Sequence, residues 1–187
     1  SFTKGKWYAE AKINNLSSST GYGSVGISDI NLSDYNGDDT VIKQDAETAG
    51  VALDHRSGQS DIRSGTSEVT SNIGNFSTND IIGLAVDMDN KALYIHLNGT
   101  YYQISSVTGV PTSGSSKTGA VTIPASVVDC AFHVGSYTSN SETTFNFGSA
   151  SYTISSGNSD ANGYGNFEYA VPSGYYALNT KNLAEFG

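Results

Sequence analysis

Several constellations in this 187-residue chain use residue types that do chemistry when geometry allows it. Gly21, Gly23 and Gly26 spell G-x-G-x-x-G, which binds a pyrophosphate only between a strand and the N-terminus of a helix. Here the motif runs into the alternation of Val25 and Ile27, with no strand–helix–strand pattern around it, so a nucleotide role is excluded. Asp34, Asn36, Asp38 and Asp45 occupy positions 1, 3, 5 and 12 of a calcium loop. Position 6 is Asp39 where the sharp turn needs Gly, position 12 lacks the bidentate Glu, and no helices flank the loop. It reads as a solvated acidic loop, and no metal is expected. Asn158, Asp160, Asn162 and Gly163 echo the pattern and read as a turn cluster.

Asp87 and Asp89 are the one strand-associated carboxylate pair two residues apart. A retaining glycosidase needs two carboxyls about 5–5.5 Å apart. This pair stands where a strand turns, and no Glu-x-Asp-x-Glu cluster, Gly-x-Ser-x-Gly elbow or Cys–His arrangement accompanies it. The chain is expected to be a non-enzyme without a cofactor. His96 and His133 fall on the polar phase of their strands and His55 in a turn, where lone histidines are surface residues. His55–Arg56 is placed as a loop contact. Aromatic faces in or near loops could stack on a ligand, Tyr102 among them. The candidate ligand-binding set is Tyr22, Tyr35, His55, Arg56, Tyr101 and Tyr137.

These side chains need a scaffold, and the alternation of the chain says which kind. Ile82, Leu84 and Val86 alternate with Gly83, Ala85 and Asp87; Leu93, Ile95 and Leu97 alternate with Ala92, Tyr94 and His96. Period-two spacing buries one set and turns the other to the opposite face. Asp87–Lys91 supplies a turn and Asn98–Gly99 a second, tight one. Trp7, Ala9, Ala11 and Ile13 predict an early strand, with shorter ones at Val25–Ile27, Val51–Leu53, Ile62, Tyr102–Ile104 and Val121–Ile123, the last ended by Pro124. Phe132 with Val134, and Phe145 with Phe147, are assigned to core strands. Residues 28–49 and 105–119 read as long polar excursions.

Twelve Tyr, seven Phe and one Trp among frequent Gly, Ser, Thr and Asn fit an all-β protein, and 187 residues fit one domain. No stretch of eleven residues shows helical periodicity, so a sandwich or barrel is expected. A net charge of −9 repels phosphate backbones and anionic headgroups, excluding nucleic acid and membrane surfaces as partners. No apolar run approaches the roughly 20 residues of a membrane span. Cys130 is the only cysteine, and its alternation with Phe132 and Val134 marks it as a buried, inert thiol. Ser1 in place of an initiator Met suggests an excised part of a longer chain.

The strand phrased NDIIGLAVDMD, followed by one ending in Asn98–Gly99, resembles the SPRY domain family. GKWYAEAKI at Gly5–Ile13, VGISD at Val25–Asp29, AGVALD at Ala49–Asp54 and TTFNFG at Thr143–Gly148 are similar to SPRY segments in the same order. The resemblance implies a concanavalin-like antiparallel β-sandwich, a jelly roll with long loops, that binds protein partners through loops at one end. The AGVALD strand lacks the aromatics that often line the family's partner surface. The ending at Asn162–Gly187, with PSG and ALNTKNL, resembles segments that follow SPRY domains in structural proteins of marine bacteriophages. Implied are a core over 1–154 and an extension over 155–187 packing on the same domain. Also implied is a place on the virion surface, in a tail or fibre, recognising a host surface protein or glycan or another virion protein. A homo-oligomer would be held through the parent chain. A carbohydrate-binding lectin is the alternative, and a glycan-degrading enzyme on the same scaffold the third.

Overall fold

A computed structural model describes residues 1–16, 22–31, 49–56, 60–65, 67–71, 73–136 and 141–187, without the side chains of Tyr22 and Arg56. The acidic stretch with Asp34, Asn36, Asp38 and Asp45, as well as Tyr35 and Tyr137, lies outside the described residues. The chain is all-β, with antiparallel sheets of the β-sandwich class. It divides into two compact units: residues 1, 13–80 and 121–143, and residues 2–12, 81–120 and 144–187.

The first unit is built on a five-stranded antiparallel sheet. Its strands are β2 (Tyr22–Asp29), β3 (Gly50–Arg56), β4 (Ile62–Ser64), β5 (Ser67–Thr70) and β12 (Cys130–Ser136), in the order β12-β2-β3-β4-β5. Val25 pairs with Leu53 and Leu53 with Ile62, so their side chains share one face with Ile27, Val51 and Cys130. All six are buried. The buried Cys130 matches the expectation; Phe132 is half-buried and Val134 is 44% exposed, so neither is a core residue. Gly23 and Gly26 lie inside β2, where a Cβ on Gly26 would strike the Val51 carbonyl.

The second unit centres on β1 (Lys6–Leu16), which runs on into the first unit, with β6 (Ile81–Asp87) and β7 (Ala92–Leu97). Trp7 opposes Val86, which opposes Leu93; Ala9, Leu84 and Ile95 form the next row. The predicted β6–β7 hairpin is there, and Asn98 (φ 50°) and Gly99 (φ 84°) make the two-residue turn into β8 (Thr100–Tyr101). β9 (Gln103–Ile104), in the expected Tyr102–Ile104 strand, pairs with β10 (Val107–Thr108), inside the expected excursion, as a separate ribbon. A short 3₁₀ turn at Pro111–Ser116 precedes β11 (Val121–Thr122) of the first unit.

The opposite face of β1, β6 and β7 is buried too. Tyr8, Ala85, Ala92 and Tyr94 pack with Phe167, Tyr175 and Ala177 of the C-terminal segment. That segment contributes β14 (Tyr176–Ala177), parallel to β1, and the helix α1 (Thr180–Phe186), too short to show helical periodicity. Alternation marks two faces of a strand, and a covering segment can bury both; burying each large side chain contributes about 1.5–3 kcal/mol. β13 (Ser141–Asn146) flanks β1. No helix among the described residues is long and apolar enough to cross a membrane.

Candidate functional site

Two buried carboxylates organise the C-terminal segment of the second unit. Glu10 projects from β1 with no exposure and accepts the backbone N–H of Glu168 (2.9 Å) and Tyr169 (2.8 Å). Its oxygens also meet the Tyr8 hydroxyl at 3.1 Å and Asn146 Nδ2 at 3.4 Å. Burial raises the Glu10 pKa, and these donors oppose the rise. Asp160 accepts N–H from Asn162, Tyr164 and Ala177 and from the side chain of Asn182, at 2.8–2.9 Å. The turn cluster expected at Asn158–Gly163 is therefore a hub that fixes Tyr164, β14 and α1 together.

Gly99 N–H donates to His96 Nδ1 at 3.1 Å, which puts the ring proton on Nε2. Nε2 then donates to the Tyr8 oxygen at 2.8 Å, and the Tyr8 hydroxyl donates on to Glu10. His96 is 1% exposed, and burial lowers its pKa to about 4. Burial also raises Tyr8, with the Glu10 charge adding to the effect. This chain of donors is closed off from solvent and holds the hairpin to β1. It corrects the expectation that His96 is a surface residue: the polar phase of β7 lies beneath the C-terminal segment.

Of the six sequence-derived candidates, the described residues hold the backbones of Tyr22 and Arg56 and the side chains of His55 and Tyr101. Tyr22 and Arg56 are directly opposed across β2 and β3. His55, expected in a turn, continues the Val51–Leu53 phase of β3 and is fully buried, its Nε2 3.2 Å from Thr143 Oγ1. Burial lowers its pKa to about 4, and the same cause brings His133, half-buried, to about 4. Tyr101 belongs to the second unit, its ring set edge-on to His96 at 5.2 Å. Asp87 and Asp89 serve the turn: Asp87, fully buried, accepts Asn90 N–H and pairs with Lys6 at 3.2 Å, and Asp89 accepts Gly5 N–H.

An open groove does assemble, of about 580 Å³, from residues assigned elsewhere by the sequence. Asn146 points inward from the end of β13, donating to the Asn166 carbonyl and accepting Gly148 N–H, so Phe145 and Phe147 point the other way. Their rings lie 5.1 Å apart and 15° from parallel, and Phe147 is 38% exposed. This overturns their assignment to the core. Gly148 (φ 111°) approaches Gly165 so closely that a Cβ there would stand 2.9 Å from the Gly165 Cα. Tyr164, with Lys181 Nζ 5.3 Å from its ring centroid, also lines the groove, as do Leu178 and Asn179. Volume and aromatic content suit a small ligand or a protruding residue of a larger one. The available signal was the pair of Phe two residues apart running into Gly148.

No protein-family model matches the chain, and no curated protein matches it. Among solved structures, the SPRY domain of human HERC1 is similar with a TM-score of 0.51 and 16% identity, over 76% of this chain and 75% of the other. The TRIM65 PSpry domain gives a TM-score of 0.46 at 13% identity, over 77% and 64%. The catalytic domain of a glycoside hydrolase family 131 protein from Coprinopsis cinerea gives 0.33 at 13% identity, over 78% and 54%. The fold is thus that of SPRY domains, as the sequence resemblance implied. The two lower scores bear on neither fold nor activity.

Proposed function

We propose that this chain is a non-catalytic recognition module of a bacteriophage virion, part of a tail or fibre. In this reading it engages a host surface molecule or another virion protein. The observation that carries recognition is the groove at Phe145, Phe147, Tyr164 and Lys181: exposed aromatic surface, held in place by Asn146 and Asp160. Exposed, rigid aromatics of this kind are what binding surfaces present. The SPRY-like fold supports a protein-binding role, and the virion context is supported by the resemblance of Asn162–Gly187 to phage segments. Non-catalysis is supported by the carboxylates of Glu10, Asp87, Asp89 and Asp160, each of which holds structural donors.

Labelled full chain should bind saturably to intact cells in a panel of marine bacteria, or to tail proteins of the same virion. Unlabelled chain should compete, and Phe147→Ala should lose the binding. No binding to any cell or tail protein, or binding that Phe147→Ala leaves unchanged, overturns the reading.

A further inference from the structure

The groove differs in charge from the chain that carries it. Asp and Glu outnumber Lys and Arg by 18 to 9, yet no acidic residue lines the groove and Lys181 does. Lys181 is exposed, and its contact is with the Tyr164 ring; no carboxylate among the described residues pairs with it. A cation in the first turn of a helix gains nothing from the helix dipole, so the Tyr164 ring is the favourable partner the described residues give this charge. The same lining holds Asn179 and Ser149, with hydrogen-bonding side chains, and the Phe145–Phe147 pair.

Resting on the recognition reading above, we propose that the groove binds a carboxylate-bearing sugar, a hexuronate unit of a surface glycan. The apolar face of a pyranose ring would lie on Phe147, its hydroxyls would meet Asn179 and Ser149, and its carboxylate would face Lys181. At about 580 Å³ the groove falls within the roughly 300–1,000 Å³ of small-ligand sites, room for one or two sugar units. An anion entering here also meets local positive charge in a molecule that otherwise repels anions.

Calorimetric titration of the full chain with a hexuronate disaccharide and with its carboxyl-reduced neutral counterpart tests this. The hexuronate should bind at least fivefold more tightly than the neutral sugar, and the difference should shrink in 0.5 M salt. Lys181→Met should abolish the preference, and Phe147→Ala should weaken both sugars at least fivefold. Both side chains are exposed, so unchanged melting midpoints will show that the variants fold. No saccharide binding at millimolar concentration, equal affinity for the two sugars, or an undiminished preference in Lys181→Met overturns the proposal. Binding of an acidic peptide in place of the sugar also overturns it. Cell binding that depends on Phe147 but is not competed by hexuronate would sink this inference and leave the recognition reading standing.

Discussion

Glu10 is a carboxylate with no exposure and four donors, and its removal takes the acceptor from the Tyr8 hydroxyl and from the half-buried N–H groups of Glu168 and Tyr169, while Asn146 keeps the Asn166 carbonyl. Stranded buried donors cost about 1–3 kcal/mol each, and relaxation recovers part of that. Glu10→Ala should therefore lose roughly 3–5 kcal/mol in urea unfolding, the range for breaking a buried charged network. A loss below about 1 kcal/mol would show that water reaches the site. The histidines give a second, pH-dependent expectation. His55 and His96 titrate near 4 in the fold and near 6.5 when unfolded, so the unfolded chain binds more protons between those values. Stability from this source is present above pH 6.5 and is lost as pH falls toward 4, about 2 kcal/mol for each of the two by pH 5. Glu10, its pKa raised, acts with the opposite sign: there the folded chain binds more protons, and stability falls as pH rises from the ordinary carboxylate value through the raised one. Urea midpoints at pH 7 and pH 5 should drop on acidification, and more steeply in Glu10→Gln than in the parent.

At the scale of elements, the close approach of strands to rings makes some glycines indispensable. Gly83 faces His96 across the β6–β7 ladder, and a Cβ at that position would stand 1.9 Å from His96 Nε2. Gly83→Ala must displace the ring and break its bond to Tyr8, so a loss of about 2–4 kcal/mol is expected, in the overpacking range or beyond it. Gly74→Ala, with open space around its Cβ, bears only the strain of its positive φ, and thermal melts should separate the two variants. Asn179 caps α1 by accepting Asn182 N–H, and Asn179→Ala should cost about 1 kcal/mol. These elements were unequally legible in the sequence. The β6–β7 hairpin and β1 were readable because apolar residues hold strict alternation between turn residues. β3 outran its expected end because His55, polar by type, continues the buried phase of Val51 and Leu53. Phe145 and Phe147 misled for the converse reason: hydrophobic type suggested the core, but Asn146 between them, fully buried, finds hydrogen-bond partners and takes the inward position. The groove was not legible, because its residues are tied through Asp160, whose partners lie two to twenty-two residues away, and through Asn146, which reaches the Asn166 carbonyl twenty residues on.

For the molecule as a whole, the sequence resemblance implies an SPRY-like core over 1–154 with an extension over 155–187 packing on the same domain. Residues 144–187 share one compact unit with residues 2–12 and 81–120. Phe167, Tyr175 and Ala177 complete a cluster with Tyr8, Ala85, Ala92 and Tyr94, and the N–H groups of Glu168 and Tyr169 fill the Glu10 carboxylate. Removing 155–187 uncovers these aromatic faces and leaves Glu10 and His96 without their cover, and each large side chain returned to water costs about 1.5–3 kcal/mol. Summed over Tyr8, Tyr94 and the partners they lose, that approaches the 5–15 kcal/mol by which folded domains are stable. A chain ending at residue 154 should therefore fail to fold cooperatively, binding a hydrophobic dye and showing a broadened melt. Limited proteolysis of the full chain, in contrast, should leave the C-terminal segment uncut until global unfolding, because its backbone is tied at Glu10, Asp160 and β14. A truncated chain with a sharp, parent-like melt would mean that the extension decorates an autonomous core, and Asp160→Ala should then leave the melting midpoint unmoved as well.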